Sequence, residues 1–362
     1  MKTLKLRIKD KHAKLLTQLA TEVNFVWNYV NDLCFKHLQR KGQFFSAFDV
    51  AKYTKGASKE CGLHSQTIQA VTEELVIRRK QFKKAKLRWR VSNPKSAKKS
   101  LGWIPFKKSA IKYQNGQIKY GAQWFSLWDS YGLSEYNVRT GSFVQDTRGR
   151  WYACLVVDPK PVEQSASKTS IGIDLGLKDL ATCSDGVVIS NPKYYRQYEQ
   201  KLGIAQRARN KKRIRSIHAK IRNSRQDHLH KASTALVRNH ALIVIGNLSA
   251  AKLVKTTMAK SVLDTGFSAL KTMLKYKCEN ATCAAVLLMF EEVNEAYTTQ
   301  MCSSCKSISS SSPKGRADLG IRAWQCMECG TFHESRDQNA ALNILALGHE
   351  RLAVGIPLLA SA

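Results

Sequence analysis

The chain has 362 residues, 59 of them lysine or arginine against 27 aspartate or glutamate, for a formal net charge of +32. So large a basic excess is out of place in a typical metabolic enzyme and points to a polyanionic partner. With 43% hydrophobic and 9% aromatic residues, the chain is no disordered basic tail, and its length suits two or three domains. The longest apolar run, Ala284 to Phe290, is far too short to cross a bilayer, so no membrane partner is expected. Ten cysteines without a signal-peptide pattern predict thiols or a metal site rather than a disulfide framework.

Residues 1–10 alternate charged and apolar side chains as a strand does. Leu16, Leu19, Val23, Val26, Val30 and Leu33 then recur at three- and four-residue steps, predicting an amphipathic helix. Ser65 is placed to cap a second long helix carrying Ile68, Val71, Leu75 and Phe82. That helix runs into a stretch between Leu75 and Trp128 that holds no acid, where Arg78, Arg79, Lys83, Lys84, Arg88 and Arg90 are expected to meet phosphates. Trp89, Trp103, Tyr113, Tyr120, Trp124, Phe125 and Trp128 interleave with the bases; each can stack on a nucleobase or fill a core, and none is assigned to stacking. From Ser100 to Asp158, short runs around Asn115-Gly116, Thr140-Gly141 and Arg148-Gly149 read as antiparallel strands and turns. Residues 159–168 read as a linker.

A new domain opens with a strand at Ser170 to Asp174, a second near Leu180 to Cys183, the turn Asp185-Gly186 and a third strand near Val187 to Ser190. A second acid-free run, between Gln200 and Gln226, carries Arg207, Lys211, Lys212, Arg213 and Arg215 as further nucleic-acid contacts. These bases share a helix with Ile214, Ile217 and Ile221, whose spacing gives it a face that needs a core. Cys302, Cys305, Cys326 and Cys329 form C-x2-C-x20-C-x2-C, two knuckles that close a tetrahedral Zn²⁺ site with no open position, so the metal is structural. Asp174 ends an apolar strand, where an unpaired carboxylate is costly. Asp337 begins a helix, where negative charge is favoured. Strand-end and helix-start acids that converge can bind Mg²⁺ for in-line phosphodiester hydrolysis.

Taken with Gly172-Ile173-Asp174-Leu175-Gly176-Leu177, the segment Asn294-Glu295-Ala296-Tyr297-Thr298-Thr299-Gln300, the cysteine knuckles and Arg336-Asp337-Gln338-Asn339-Ala340-Ala341, the chain resembles the TnpB proteins of bacterial insertion sequences, relatives of the type V CRISPR effectors. Trp103-Ile104-Pro105-Phe106 and Asp227-His228-Leu229-His230-Lys231 are similar to that family too. The resemblance implies a multidomain α+β architecture. A wedge-like β-barrel over 1–160 would carry an inserted helical recognition domain at about 11–99. A RuvC nuclease domain of RNase H-like α/β fold would occupy 169–300 and 332–350, interrupted by a zinc ribbon at 301–331 and followed by a tail at 351–362. It also implies a guide RNA, double- and single-stranded DNA as partners, cleavage beside a short element-adjacent motif, and a cytoplasmic, nucleoid-associated bacterial protein.

Two departures from the family stand out. Its third metal-binding carboxylate follows the strand that here reads Leu242-Ile243-Val244-Ile245, but Gly246-Asn247 supplies no anion. Glu295, just past the neighbouring strand Val286 to Val293, is expected to take its place, with Glu292 second and Glu291 solvated. Asp174, Glu295 and Asp337 thus form the expected Mg²⁺ site; the alternative is an RNA-guided DNA-binding protein, repressor-like, that does not cut. The second departure is an extra residue around His333-Glu334-Ser335-Arg336-Asp337. Inside the helix it would turn Asp337 by about 100°; in the loop before it, Asp337 would be unaffected.

Overall fold

A computed structural model describes residues 2–158, 169–281, 288–315 and 317–359; the predicted linker at 159–168 and the first residues of the strand expected from Val286 lie outside them. The chain divides into two compact units, Met1–Lys160 and Pro161–Ala362.

The first unit comprises β1 (Lys2–Ile8), α1 (Ala13–Lys41), α2 (Ala47–Ala51), α3 (Ala57–Cys61), α4 (Ser65–Phe82), β2 (Trp103–Lys107), β3 (Ile111–Gln114), β4 (Gln117–Tyr120), β5 (Gln123–Trp128), β6 (Val138–Gln145) and β7 (Trp151–Val157). Its strands form one antiparallel sheet in the order β2-β6-β7-β1-β5-β4-β3, curled into a nearly closed barrel. Alternation dictates the two faces: Leu4, Leu6 and Ile8 of β1 turn into a core that continues to Val23, Val30, Val71 and Leu75 of the helices. The N-cap of α4 is His64, whose Nδ1 accepts from the Gln66 N–H at 3.2 Å, not Ser65. Phe82 is 55% exposed instead of completing the apolar face.

Beyond α4, residues 87–92 hang as an extended strip along α1. Asn31 and Asn28 each exchange two hydrogen bonds with the backbone of Leu87 and Arg90, and Trp27 Nε1 donates to the Arg88 carbonyl. This strip removes two of the six expected phosphate contacts. Arg79 is buried, donating to the Ala85 carbonyl at 2.6 Å beneath the Phe44 ring. Arg90 is tied to Asn24 Oδ1 and to the Leu101 carbonyl. Both guanidiniums are taken up by backbone and amide oxygens beside the strip, those of Ala85, Asn24 and Leu101. Arg78, Lys83, Lys84 and Arg88 remain exposed.

The second unit comprises β8 (Ser170–Leu175), β9 (Asp179–Cys183), β10 (Val188–Ser190), α5 (Tyr194–Arg207), α6 (Lys211–Asn239), β11 (Leu242–Gly246), α7 (Ala250–Leu253), α8 (Ala259–Thr265), α9 (Phe267–Asn280), β12 (Met289–Val293), β13 (Trp324–Gln325), β14 (Phe332–His333) and α10 (Arg336–Leu359). Helix α10 continues through the 351 boundary at which a separate tail was expected. The main sheet runs β10-β9-β8-β11-β12, antiparallel through β8 and parallel from β8 to β12. One face, with Ile171, Ile173, Ile243 and Ile245, packs on α6, α8 and α9. The other, with Leu242, Val244 and Val293, packs on α10. Among the described residues no helix is long and apolar enough to cross a membrane.

Candidate functional site

The site lies at the C-terminal ends of β8, β11 and β12, on the α10 face. Register fixes the parity: Val244 of β11 pairs with Gly172 of β8, and Gly246 with Val293 of β12. Side chains two residues apart share a face, so Asp174, Gly246 and Val293 share one. Gly172 brings the helix close, since a Cβ there would collide with the Ala341 carbonyl and lie 2.8 Å from Leu345 Cβ. Asp337, four residues before Ala341, lies on the same helical face and so reaches the end of β8. Ser335 Oγ accepts from the Gln338 N–H at 3.2 Å, and the helix starts at Arg336. Glu334 and Ser335 therefore precede it, and Asp337 is the second residue of the helix.

Glu295 folds over Gly246. A Cβ at Gly246 would collide with Glu295 Oε2 and lie 3.1 Å from Glu295 Cβ. The missing side chain on β11 is thus the space into which the carboxylate of Glu295 fits. Asn247 helps to place it: its N–H donates to the Val293 carbonyl at 2.8 Å and its Oδ1 accepts from the Glu295 N–H at 3.4 Å. Glu292 lies on the opposite face of the sheet, paired with Lys271 at 2.6 Å. Glu291 shares the α10 face but sits two residues deeper, 3.6 Å from Arg351.

Burial pushes the Asp174 carboxyl up to about 8, with the charges of Asp337 and Glu295 adding to the shift. Burial raises Glu295 too, against Lys271 and the Leu248 N–H, and its Oε2 is enclosed without a hydrogen-bond partner. Crowded carboxylates of this kind hold protons unless a cation offsets them. Arg322, which sequence reading did not single out, supplies one: its Nη1 meets Asp337 Oδ2 at 2.6 Å, while Arg336 Nε lies 3.6 Å from Oδ1. The three acids do not draw together as closely as the cysteines do. Among the described residues, only the cysteines form a group of potential ligands within 4.8 Å of one another.

The shift sets an expected pH dependence. Free of metal, the folded chain keeps a proton on Asp174 that the unfolded chain releases near pH 4. Its stability therefore falls as pH rises from about 4 to about 8, then levels. Asp174→Asn removes this dependence, so thermal melts in chelator should show the variant gaining on the parent across that window. A constant gap between the two curves contradicts the shift.

The cysteine group is built for a four-coordinate metal. Cys302 Sγ lies 3.7 Å from Cys329 Sγ, and Cys305 Sγ 3.7 Å from Cys326 Sγ. A tetrahedron with metal–sulfur bonds of about 2.3 Å has edges of about 3.75 Å. Hydrogen bonds from Ser307 pull Cys305 down to about 6, toward the thiolate a metal requires. Asn339 and Asn343 join this module to the acids, a role the bare motif did not disclose. Asn339 Oδ1 accepts from the Ser303 N–H at 2.8 Å, and both side-chain amides donate to the Met301 carbonyl at 2.7 Å. Asn343 also donates to the Thr298 carbonyl at 2.9 Å, on the loop that carries Glu295.

The family models cover both halves of this unit. Residues 153–257 match the IS605 OrfB family, described as "Probable transposase", and residues 267–344 match the Cas12f1-like TNB domain. A relative from Streptomyces pristinaespiralis, provisionally named an RNA-guided DNA endonuclease, is 32% identical over 277 residues, covering 72% of this chain and 66% of its own. The chain is similar to the TnpB family. A second relative, from Escherichia coli K12 and with the same provisional name, is 30% identical over 243 residues, covering 59% of this chain and 57% of its own. A TnpB-like protein of Acanthamoeba polyphaga mimivirus is 27% identical over 244 residues, covering 58% and 43%. The chain thus spans a little under two thirds of the length of the first of these relatives and less of the others.

Proposed function

We propose that this chain is an RNA-guided DNA endonuclease of the RuvC type, with Asp174, Glu295 and Asp337 as the Mg²⁺ ligands and a zinc ribbon built on its four cysteines. The observation that carries this reading is the seating of Glu295 over Gly246, which returns a carboxylate to the sheet end where this chain, unlike the family, carries none on β11. The unpartnered Glu295 Oε2 and the proton held on Asp174 fit a site that awaits a divalent cation. Bound there, Mg²⁺ supplies an activated water and charge stabilisation at the leaving oxygen. The chain's own part is to present three acids on one face and to keep Arg322 beside Asp337, where the guanidinium can release the carboxylate to the metal. A guide RNA would choose the sequence by pairing, with the protein holding backbone phosphates.

The exposed cations support a nucleic-acid partner. Arg207 ends α5, and Lys211, Lys212, Arg213 and Arg215 crowd the start of α6, which has no acid in its first turn. Positive charge at a helix N-terminus is unfavourable without an anion nearby. Replacing Lys211, Lys212, Arg213 and Arg215 by alanine should flatten the salt dependence of duplex DNA binding, with the slope falling by about 0.9 for each lost phosphate contact. An unaltered slope means these residues meet no phosphate. The function itself is tested by incubating the chain, co-purified with its RNA, with a plasmid library of randomised flanks, in Mg²⁺ or in chelator. Cuts clustered beside one short flank and dependent on Mg²⁺ support the proposal, and guided binding without cutting in any condition replaces it with the repressor-like reading.

A further inference from the structure

The aromatic residues interleaved with the first basic run separate into two groups. Tyr120 and Phe125 are buried in the barrel core, whereas Trp124 and Trp128 are 37% and 62% exposed. The two tryptophans lie four residues apart on β5, on the outer face, while Phe125 and Leu127 between them turn inward. Cross-strand register surrounds them with cations: Lys112 stands opposite Lys119, Lys119 opposite Trp124, and Arg7 opposite Trp128. Lys119 Nζ lies 5.8 Å from the Trp124 ring centre, and Lys9 Nζ 5.3 Å from that of Trp128. A hollow of about 560 Å³ beside Trp128 is lined by Arg7, Lys9, Asp10 and Lys11, and its one acid, Asp10, is paired with Arg7 at 2.9 Å.

We infer that this outer face of the barrel is a stacking platform for unpaired bases of a single-stranded nucleic acid. The inference rests on the nucleic-acid reading above and adds where, and by what chemistry, an unpaired stretch is held. Two exposed indoles flanked by lysines offer what a single strand needs, a π-face for each base and charge for the phosphates between. A duplex is a poor occupant, because its base faces are already covered by their neighbours. A protein partner fits less well, since the indoles are separated by Ser126, bridged to Gln117 at 3.1 Å, and form no continuous apolar patch. Four strand residues span about 13 Å, too far for the indoles to clamp one base between them, so each takes its own.

The test measures anisotropy of dye-labelled twelve-residue oligouridylate, oligothymidylate and a twelve-base-pair duplex with the full chain freed of nucleic acid. Trp124→Ala and Trp128→Ala should each weaken single-strand binding about tenfold, leave duplex binding and the salt slope unchanged, and melt as the parent does. Trp128→Phe should keep most of the affinity, because an aromatic face remains. Loss confined to oligouridylate assigns the platform to RNA, loss confined to oligothymidylate to DNA, and equal loss to either. The inference fails if both alanine variants bind single strands as the parent does, or lose duplex affinity equally. A parent chain that binds none of the three probes overturns the nucleic-acid reading with it.

Discussion

Glu295→Ala is expected to lower Mg²⁺-dependent DNA cleavage on the order of a thousandfold, the several kcal/mol of charge stabilisation that a correctly held metal provides, at about 1.4 kcal/mol per tenfold in rate. Asp174→Ala should do the same. The informative partner is the exchange variant Gly246→Glu with Glu295→Ala. Gly246→Glu alone forces a Cβ into the Glu295 carboxylate and should be both strained and inactive. Removing Glu295 at the same time clears that space and moves the acid back onto β11, so the double variant should recover part of the lost rate. Glu292→Gln is the control: that residue faces α9 across the sheet and pairs with Lys271, and its loss should leave the rate within a few-fold of the parent. If Glu295→Ala cuts as well as the parent, or Glu292→Gln abolishes cutting, the assignment of Glu295 is wrong.

Cys326→Ser is expected to empty the zinc site, because a lost thiolate opens a tetrahedron that has no spare ligand, and structural zinc is bound with an apparent ~10–16 kcal/mol. Cys302 and Cys326 are buried, whereas Cys305 and Cys329 are exposed. Serine at either buried position should therefore cost more stability than serine at either exposed one, since water cannot enter to replace the missing ligand. The effect should reach the acids through two links. The Ser303 N–H bond to Asn339 anchors the knuckle to α10, and Arg322, from the stretch between the knuckles, holds Asp337. Metal content by atomic emission should fall from one zinc per chain toward zero, with cleavage falling alongside. Unchanged zinc in purified Cys326→Ser contradicts the four-thiolate site.

Local features of the chain carried much of this. A strand that ends in an acid, a helix that begins with one, and paired cysteines at two-residue spacing are encoded within a few residues of one another, so periodicity and spacing suffice to find them. His64 in place of Ser65 as the cap of α4 is a smaller local miss, since either position can accept from the first helical N–H groups and only backbone geometry at the turn chooses. The basic runs were harder to read. Charge counts do not tell which face of a helix packs, and Arg79 and Arg90 look like their neighbours in sequence while donating to the Ala85 and Leu101 carbonyls on either side of the strip along α1. The motif Asp337-Gln338-Asn339-Ala340-Ala341-Leu342-Asn343 likewise gives no sign that its two asparagines clasp the Met301 carbonyl some forty positions earlier.

The sequence by itself determined the large basic excess, the four thiols, the strand and helix that present Asp174 and Asp337, and the absence of an acid at Gly246, because each depends on composition or on short-range spacing. The tertiary structure alone decided which glutamate sits over Gly246, which arginines face outward, and which tryptophans escape the core. Those choices turn on parallel register between β11 and β12 and on which face of each element is covered, and both arise from contacts between residues tens of positions apart.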